Sequence, residues 1–282
     1  MLLPLHALGL PSDALVWQAI FLTMLSFGVG ILGGFVGLAL GTMRLPFLLL
    51  LGFPPAVAAG TNIIVSTTSA ITGAYRHIRD GRVDGRVVLV MGVPSMVGAF
   101  IGGLLGGYLP DALLIGAAGV LVTWQGVELL ARLRHAGARP ATAPALPRKG
   151  ATFAHMSGGR LAVEGVIGLA IGMLGAAVGL ILGSLRLPAL LRLLRMDPRV
   201  AAGTNLVIGF LLGAAAFVAH GIQGQADVPV LAAMSLTGMA GTYIGARLTG
   251  RASLRTLALA MGMVMAMIGL LLLVNAYGRW RG

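Results

Sequence analysis

The chain has 282 residues, of which 57% are hydrophobic and only 10% charged, with a mean hydropathy of +0.95. That balance excludes a soluble globular domain, because the apolar runs are long enough to cross a hydrocarbon core of about 30 Å, which takes roughly 20 helical residues. The net charge of +12 is spread over short loops, as a positive-inside bias would spread it and a nucleic-acid footprint would not, and the absence of cysteine excludes disulfides, thiol catalysis and thiolate metal sites.

The N-terminus lacks the basic region and small-residue cleavage site of a signal peptide, so the first apolar segment, about Ala14–Leu32, is expected to be retained. The second, Phe35–Leu51, carries GLALGTMRLP at Gly37–Pro46. The third, Ala56–Tyr75, opens on AAGTN at Ala58–Asn62 and runs into a loop with His77, Gly81 and Asp84. Two more follow, Val87–Leu109 and Ala112–Leu133. Residues 135–160 are rich in Pro, Ala and Gly and read as a hydrophilic linker between a first repeat, 1–134, and a second, 161–282.

The second repeat restates the first. Its segments are about Leu161–Ala177, Val178–Leu191, Val200–His220, Val228–Leu248 and Leu254–Ala276. GLILGSLRLP stands at Gly179–Pro188, AAGTN at Ala201–Asn205, and His220, Gly224 and Asp227 repeat the loop motif. GAFIGG at Gly98 returns as GTYIGA at Gly241, and such small-residue spacings let helices approach closely in lipid and permit a homodimer. The recurring His-x3-Gly-x2-Asp is expected to shape a turn.

Loop charges reverse between the copies. Arg76, Arg79, Arg82 and Arg86 surround the first His loop, whose counterpart has no Lys or Arg. Conversely, Arg192, Arg195 and Arg199, and again Arg247, Arg251 and Arg255, fall in second-copy turns whose counterparts have no basic residue. The positive-inside rule then orients the halves oppositely. The expected fold is an all-α polytopic membrane protein of two inverted repeats, each of about five apolar segments, with eight to ten crossings. The linker is expected on the cytoplasmic side and both termini on the periplasmic side.

The second segment of each repeat is chemically odd. Gly41 with Pro46, and Gly183 with Pro188, are expected to open the helix near residues 41–46 and 183–188, leaving a broken or re-entrant segment with Gly37 and Gly179 as further hinges. Freed N–H groups, with Thr42 and Ser184, suit an anion. Arg44 and Arg186 sit in these breaks, where a guanidinium at the centre of a spanning helix costs on the order of 2.5–3.5 kcal/mol. Inverted symmetry means that interfacial placement explains one arginine only. The other readings are carbonyl capping and an anion site, which Thr61, Asn62, Thr204 and Asn205 would line.

The repeated Gly-rich segment ending in Pro, the A-x-G-T turn into the next helix and the H-x3-G-x2-D loop together resemble the sulfite exporter TauE/SafE family of membrane permeases. The resemblance covers nearly the whole chain apart from the termini and linker. It implies a bacterial inner-membrane transporter of small sulfur-containing anions such as sulfite, thiosulfate or organosulfonates. It carries over Gly37, Gly41, Pro46, Gly179, Gly183 and Pro188, while the two arginines rest on the physical argument alone. No Walker-type GxxxxGK[ST], HExxH or GxSxG occurs, so no catalytic residue, metal or cofactor is assigned and a proton or ion gradient is the expected energy source. The alternatives are a transporter of a cation or neutral metabolite, and a non-transporting membrane scaffold or assembly protein.

Overall fold

In lipid every backbone polar group must be bonded within the segment, so apolar runs of this length have one solution, the helix. The computed structural model describes residues 3–36, 41–136, 158–194, 196–248 and 254–281. Its helices are α1 (Val16–Val36), α2 (Gly41–Leu50), α3 (Pro55–Arg79), α4 (Gly85–Val87), α5 (Val93–Gly106), α6 (Asp111–Ala136), α7 (Gly158–Val178), α8 (Gly183–Pro188), α9 (Pro198–Ile222), α10 (Val228–Leu248) and α11 (Leu254–Arg281). A π-helical turn, Val88–Gly92, joins α4 to α5, and another, Ala189–Leu193, extends α8. The protein is an all-α polytopic membrane protein. Five of its stretches are both long and apolar enough to span: Val16–Gly33, Gly85–Gly106, Asp111–Ala131, Val200–Ile222 and Met261–Arg281.

Phe21 and Met24 on α1, Val97 on α5, Val120 and Trp124 on α6, and Met263 and Met267 on α11 all point outward, an apolar exterior suited to acyl chains. The polar residues go inward. Helix α3 is 25 residues long, enough to span at about 1.5 Å per residue. It buries Thr61, Asn62, Ser66, Thr67 and Ser69, so its hydropathy is low because it faces the interior.

Helix partners trade places between the two halves of the sequence. Helix α1 packs on α10, while α7, its counterpart, packs on α5; α6 packs on α11 and α3 on α9. The crossings are set by equivalent glycines. A Cβ on Gly98 would run into the Leu169 carbonyl of α7, and one on Gly241 into the Phe27 carbonyl of α1. With no side chain between them the backbones meet, which is where packing in lipid gains most.

Polar ties locate the ends of the bundle. Ser12 Oγ donates to Asp227 Oδ2 at 2.6 Å, Gln18 Nε2 to the Leu51 carbonyl at 3.0 Å, and Gln223 Nε2 to the Leu104 carbonyl at 2.7 Å. Arg279 lies 3.6 Å from Asp111. The start of α1, the end of α2, the α9–α10 turn, the start of α6 and the end of α11 therefore share one end. At that end α3 begins and α9 finishes, so the two central helices run in opposite directions. The α1–α2 pair is a hairpin that returns the chain to the side it started from.

Two expectations about the second segments need correction. The chain is helical through 41–46 and 183–188, and the opening lies before them, at Gly179–Leu182 in the second copy. The first-copy equivalent includes Gly37, which lies outside the described residues. Pro46 sits inside α2. As the sixth residue it lies just past the four N–H groups that have no intrahelical partner, so it forfeits one bond and the helix runs on through it. Pro188 closes α8, and the chain widens there into the π turn. The ten residues of α2 rise only about 15 Å, half a hydrocarbon core. The interval assigned to the linker is largely outside the described residues, as are the side chains of Arg76, Arg192, Arg195, Arg199, Arg247, Arg251 and Arg255.

Candidate functional site

Arg44 and Arg186 each enter the interior one turn into a short helix. What carries the chain to α8 is a turn at Gly179, whose φ of +83° favours glycine. Ala59 of α3 packs against that glycine so closely that a Cβ would overlap it. At the start of α8, Gly183 lets Asn205 of α9 approach to within 2.9 Å of where a Cβ would be. Gly41 does the same for α3, with Ser66 in direct contact and Asn62 Nδ2 at 3.1 Å. The glycines carried over by the resemblance thus bring the polar faces of α3 and α9 against the arginine helices.

Both guanidinium groups are removed from solvent, at 1% and 0% exposure. Arg186 Nε donates to Asn205 Oδ1 at 3.1 Å, and its Nη1 and Nη2 have no hydrogen-bond partner among the described residues. Arg44 Nε and Nη1 have none either. Arg44 reaches instead toward α10, with Nη1 3.6 Å from the Cβ position of Gly238, a point bordered by Ser26 Oγ at 2.9 Å and Ser69 Oγ at 3.3 Å. Those hydroxyls are spoken for: Ser26 donates to the Met234 carbonyl at 2.7 Å and Ser69 to the Val65 carbonyl at 2.8 Å. Among the described residues neither arginine has an acidic partner. The effective cost of burying an ion is several kcal/mol, recovered only with good geometry and a counter-charge. Ser66 Oγ, Ser184 Oγ and Asn62 Oδ1 are also buried without a partner, whereas Thr42 is simply buried in α2.

Other singled-out residues tie the repeats together. Thr61 Oγ1 accepts the Asp227 N–H at 3.1 Å, and Thr204 Oγ1 accepts the Asp84 N–H at 2.9 Å. Each AAGTN motif therefore seats the loop of the opposite half. Gly60 and Gly203 leave room for it, lying directly under the carbonyls of Gln225 and Arg82. Gly81 and Gly224, at φ +66° and +64°, make the turn, and each following aspartate accepts N–H groups from the next helix. His220 is fully buried, bonded to Gln225 Oε1 at 2.8 Å and the Ala176 carbonyl at 3.0 Å. From AAGTN only the asparagines turn toward the arginine helices. Asn62 Nδ2 also donates to the Gly179 carbonyl at 2.8 Å, joining α3 to the hinge of the other repeat.

Sequence reasoning passed over Ser26, Ser66, Ser69 and Gly238. Ser66 and Ser69 follow Asn62 at helical spacing, a signal that was available; Ser26 and Gly238 come from other helices and left none. It also passed over Glu164, buried in α7, whose carboxyl inside an apolar segment was itself the signal.

A bundle with an apolar exterior, half-length inner helices and charge held inside has the build of a membrane transporter. The chain belongs to the sulfite exporter TauE/SafE family, whose family model matches residues 22–272. Its relatives include proteins of Bacillus subtilis (strain 168). To the probable membrane transporter protein YdhB it is 26% identical over 255 residues, covering 89% of this chain and 98% of that protein. To the probable membrane transporter protein YjnA it is 24% identical over 263 residues, 91% of this chain and 100% of that one. To the probable membrane transporter protein YunE it is 26% identical over 270 residues, 89% and 95% of the respective chains. No solved structure matches the chain. The protein is a membrane transporter.

Proposed function

We propose that this transporter moves a small sulfur-containing anion, such as sulfite, thiosulfate or an organosulfonate, across the bacterial inner membrane by alternating access. The observation that carries this reading is the pair of buried guanidinium groups, of which Arg44 Nε and Nη1 and Arg186 Nη1 and Nη2 have no acceptor among the described residues. An oxyanion supplies both the charge and the acceptors. Arg44 and Arg186 are the anion-binding residues, with Ser66, Ser184 and the amides of Asn62 and Asn205 around them. Sulfur chemistry comes from the family description, and the charge requirement comes from the site. A cation carrier would not hold two buried guanidinium groups without a counter-charge inside, and a scaffold would have capped their free donors with carbonyls.

The same reading takes residues 1–134 and 161–282 as inverted repeats related by an axis in the membrane plane, rocking against each other around the site. It places the 135–160 linker in the cytoplasm and the termini in the periplasm, with a proton or ion gradient as the drive. The test is uptake of sulfite or thiosulfate by proteoliposomes. Arg44→Ala and Arg186→Ala should each abolish uptake while the purified protein keeps its elution profile. Unchanged uptake in both variants sinks the assignment. Purified protein should also be thermally stabilised by sulfite or thiosulfate and not by a panel of cations.

A further inference from the structure

The two copies of the site carry one sequence pattern in two arrangements. In the second, Arg186 Nε is bonded to Asn205 Oδ1 at 3.1 Å. In the first, the equivalent atoms, Arg44 Nε and Asn62 Oδ1, are both buried and both without a partner. Arg44 has turned away from Asn62 toward Gly238 of α10, the level of Ser69. Arg186 stays against α9 of its own repeat, with Nη2 3.8 Å from the Cβ position of Gly209, the residue equivalent to Ser66. The helices differ correspondingly. Helix α2 is regular over ten residues, whereas α8 runs for six and then widens into a π turn. Asn62, with its own arginine released, donates to the carbonyl of Gly179, the hinge leading into α8.

We propose that Asn62 and Asn205 are positioning residues that latch the arginine of their own repeat in alternation, Asn205 holding Arg186 in the state seen here and Asn62 holding Arg44 in the opposite-facing state. The proposal rests on the alternating-access reading. Two buried groups left unpaired in one repeat, while their counterparts are paired in the other, are what a two-state element looks like when one half is caught in each position. Exchange between the states makes one Arg–Asn bond as the other breaks, so neither is a fixed structural tie.

The chain has no cysteine, so reporter thiols can be introduced without background. Leu48 in α2 and its counterpart Leu190 in the π turn are both fully buried and suit this purpose. In proteoliposomes without substrate, Asn205→Ala should speed thiol labelling of a Leu190→Cys reporter by about fivefold, the effect of losing one net hydrogen bond, without speeding a Leu48→Cys reporter. Asn205→Asp keeps an acceptor for Arg186, now a charged one, and should return labelling to the parent rate or below it. Asn62→Asp gives Arg44 a charged acceptor but also removes the donor to the Gly179 carbonyl, so it is read against Asn62→Ala, which removes that donor alone: Asn62→Asp should speed the Leu190→Cys reporter beyond Asn62→Ala and alone slow Leu48→Cys. Equal acceleration of both reporters, no acceleration of either, failure of Asn205→Asp to restore the rate, or an Asn62→Asp effect confined to its own repeat or no larger than that of Asn62→Ala overturns the latch. Anion-dependent thermal stabilisation of the parent protein reports separately on the transport reading. Its absence would remove that reading without deciding how the labelling rates respond.

Discussion

Arginine is a costly residue to bury, and this protein buries two with unpaired donors. A structural arginine and a ligand-binding one leave opposite marks on stability when replaced by an apolar side chain of similar length. Replacing a buried charge group by well-packed apolar volume is often neutral or stabilising. Arg44→Met should therefore leave the apparent melting temperature of ligand-free protein unchanged or higher, and should erase the sulfite-dependent stabilisation expected of the parent. Arg186→Met removes the donor to Asn205 and orphans its carbonyl, which costs about 1–3 kcal/mol. It should thus melt below Arg44→Met in the same assay. Identical melting of the two variants would show that the Arg186–Asn205 bond contributes nothing. Both arginines were legible in the sequence because duplication singled them out. What surrounds Arg44 was not, since Ser26 and Gly238 arrive from α1 and α10, and a serine or glycine in an apolar segment looks like any other until the helices are assembled.

At the scale of elements, the long helices could be read to within a few residues, because continuous hydropathy over a bilayer's thickness admits no other structure, whereas the short α2 and α8 start five or six residues later than the apolar runs that contain them. The position of the opening could not be read. Glycine and proline both weaken a helix, but Gly41 and Gly183 start helices, and Pro46 falls where a helix has few bonds to lose. The opening moved to the positive-φ turn at Gly179, one turn earlier. Close helix crossings make the sharper test. Gly98→Val or Gly241→Val forces branched carbons into a neighbouring carbonyl and should cost well over the usual 1–3 kcal/mol of overpacking, seen as loss of the monodisperse peak in detergent. Gly28 in α1 has nothing within 4 Å of its Cβ position, and Gly28→Ala should instead stabilise by about 0.5–1 kcal/mol. The threonine ties predict an intermediate loss. Thr204→Val strands the Asp84 N–H and Thr61→Val the Asp227 N–H, each at about 1–3 kcal/mol. The two should melt alike, because each removes the same bond from opposite ends of the bundle.

For the whole molecule, duplicated sequence, traded helix partners and antiparallel α3 and α9 bear on one question, which way each half faces. Within the first half, the α1–α2 hairpin returns the chain to its starting end, where Gln18 meets Leu51. Three traverses remain, by α3, by α4 with α5, and by α6, so the chain leaves the half on the other side. An odd number of traverses starts the second half on the opposite side, as the proposed inverted repeat requires, and the described basic residues agree with that reading. Exposed Arg79, Arg82 and Arg86 cluster at the end opposite the termini, while the equivalent turn at Gly221–Asp227 has no basic residue. On the proposed orientation, positive-inside bias puts the arginine-rich end in the cytoplasm. In the cysteine-free background, an Asp80→Cys reporter should react with a membrane-impermeant thiol reagent only in inside-out vesicles. A Gly221→Cys reporter, at an exposed position with open space around its Cβ, should react only in intact spheroplasts. Equivalent loops labelled from one side would mean parallel halves. Two arginines on parallel halves would both lie toward the same face and could be interfacial, and the argument for an anion between the repeats would lose its premise.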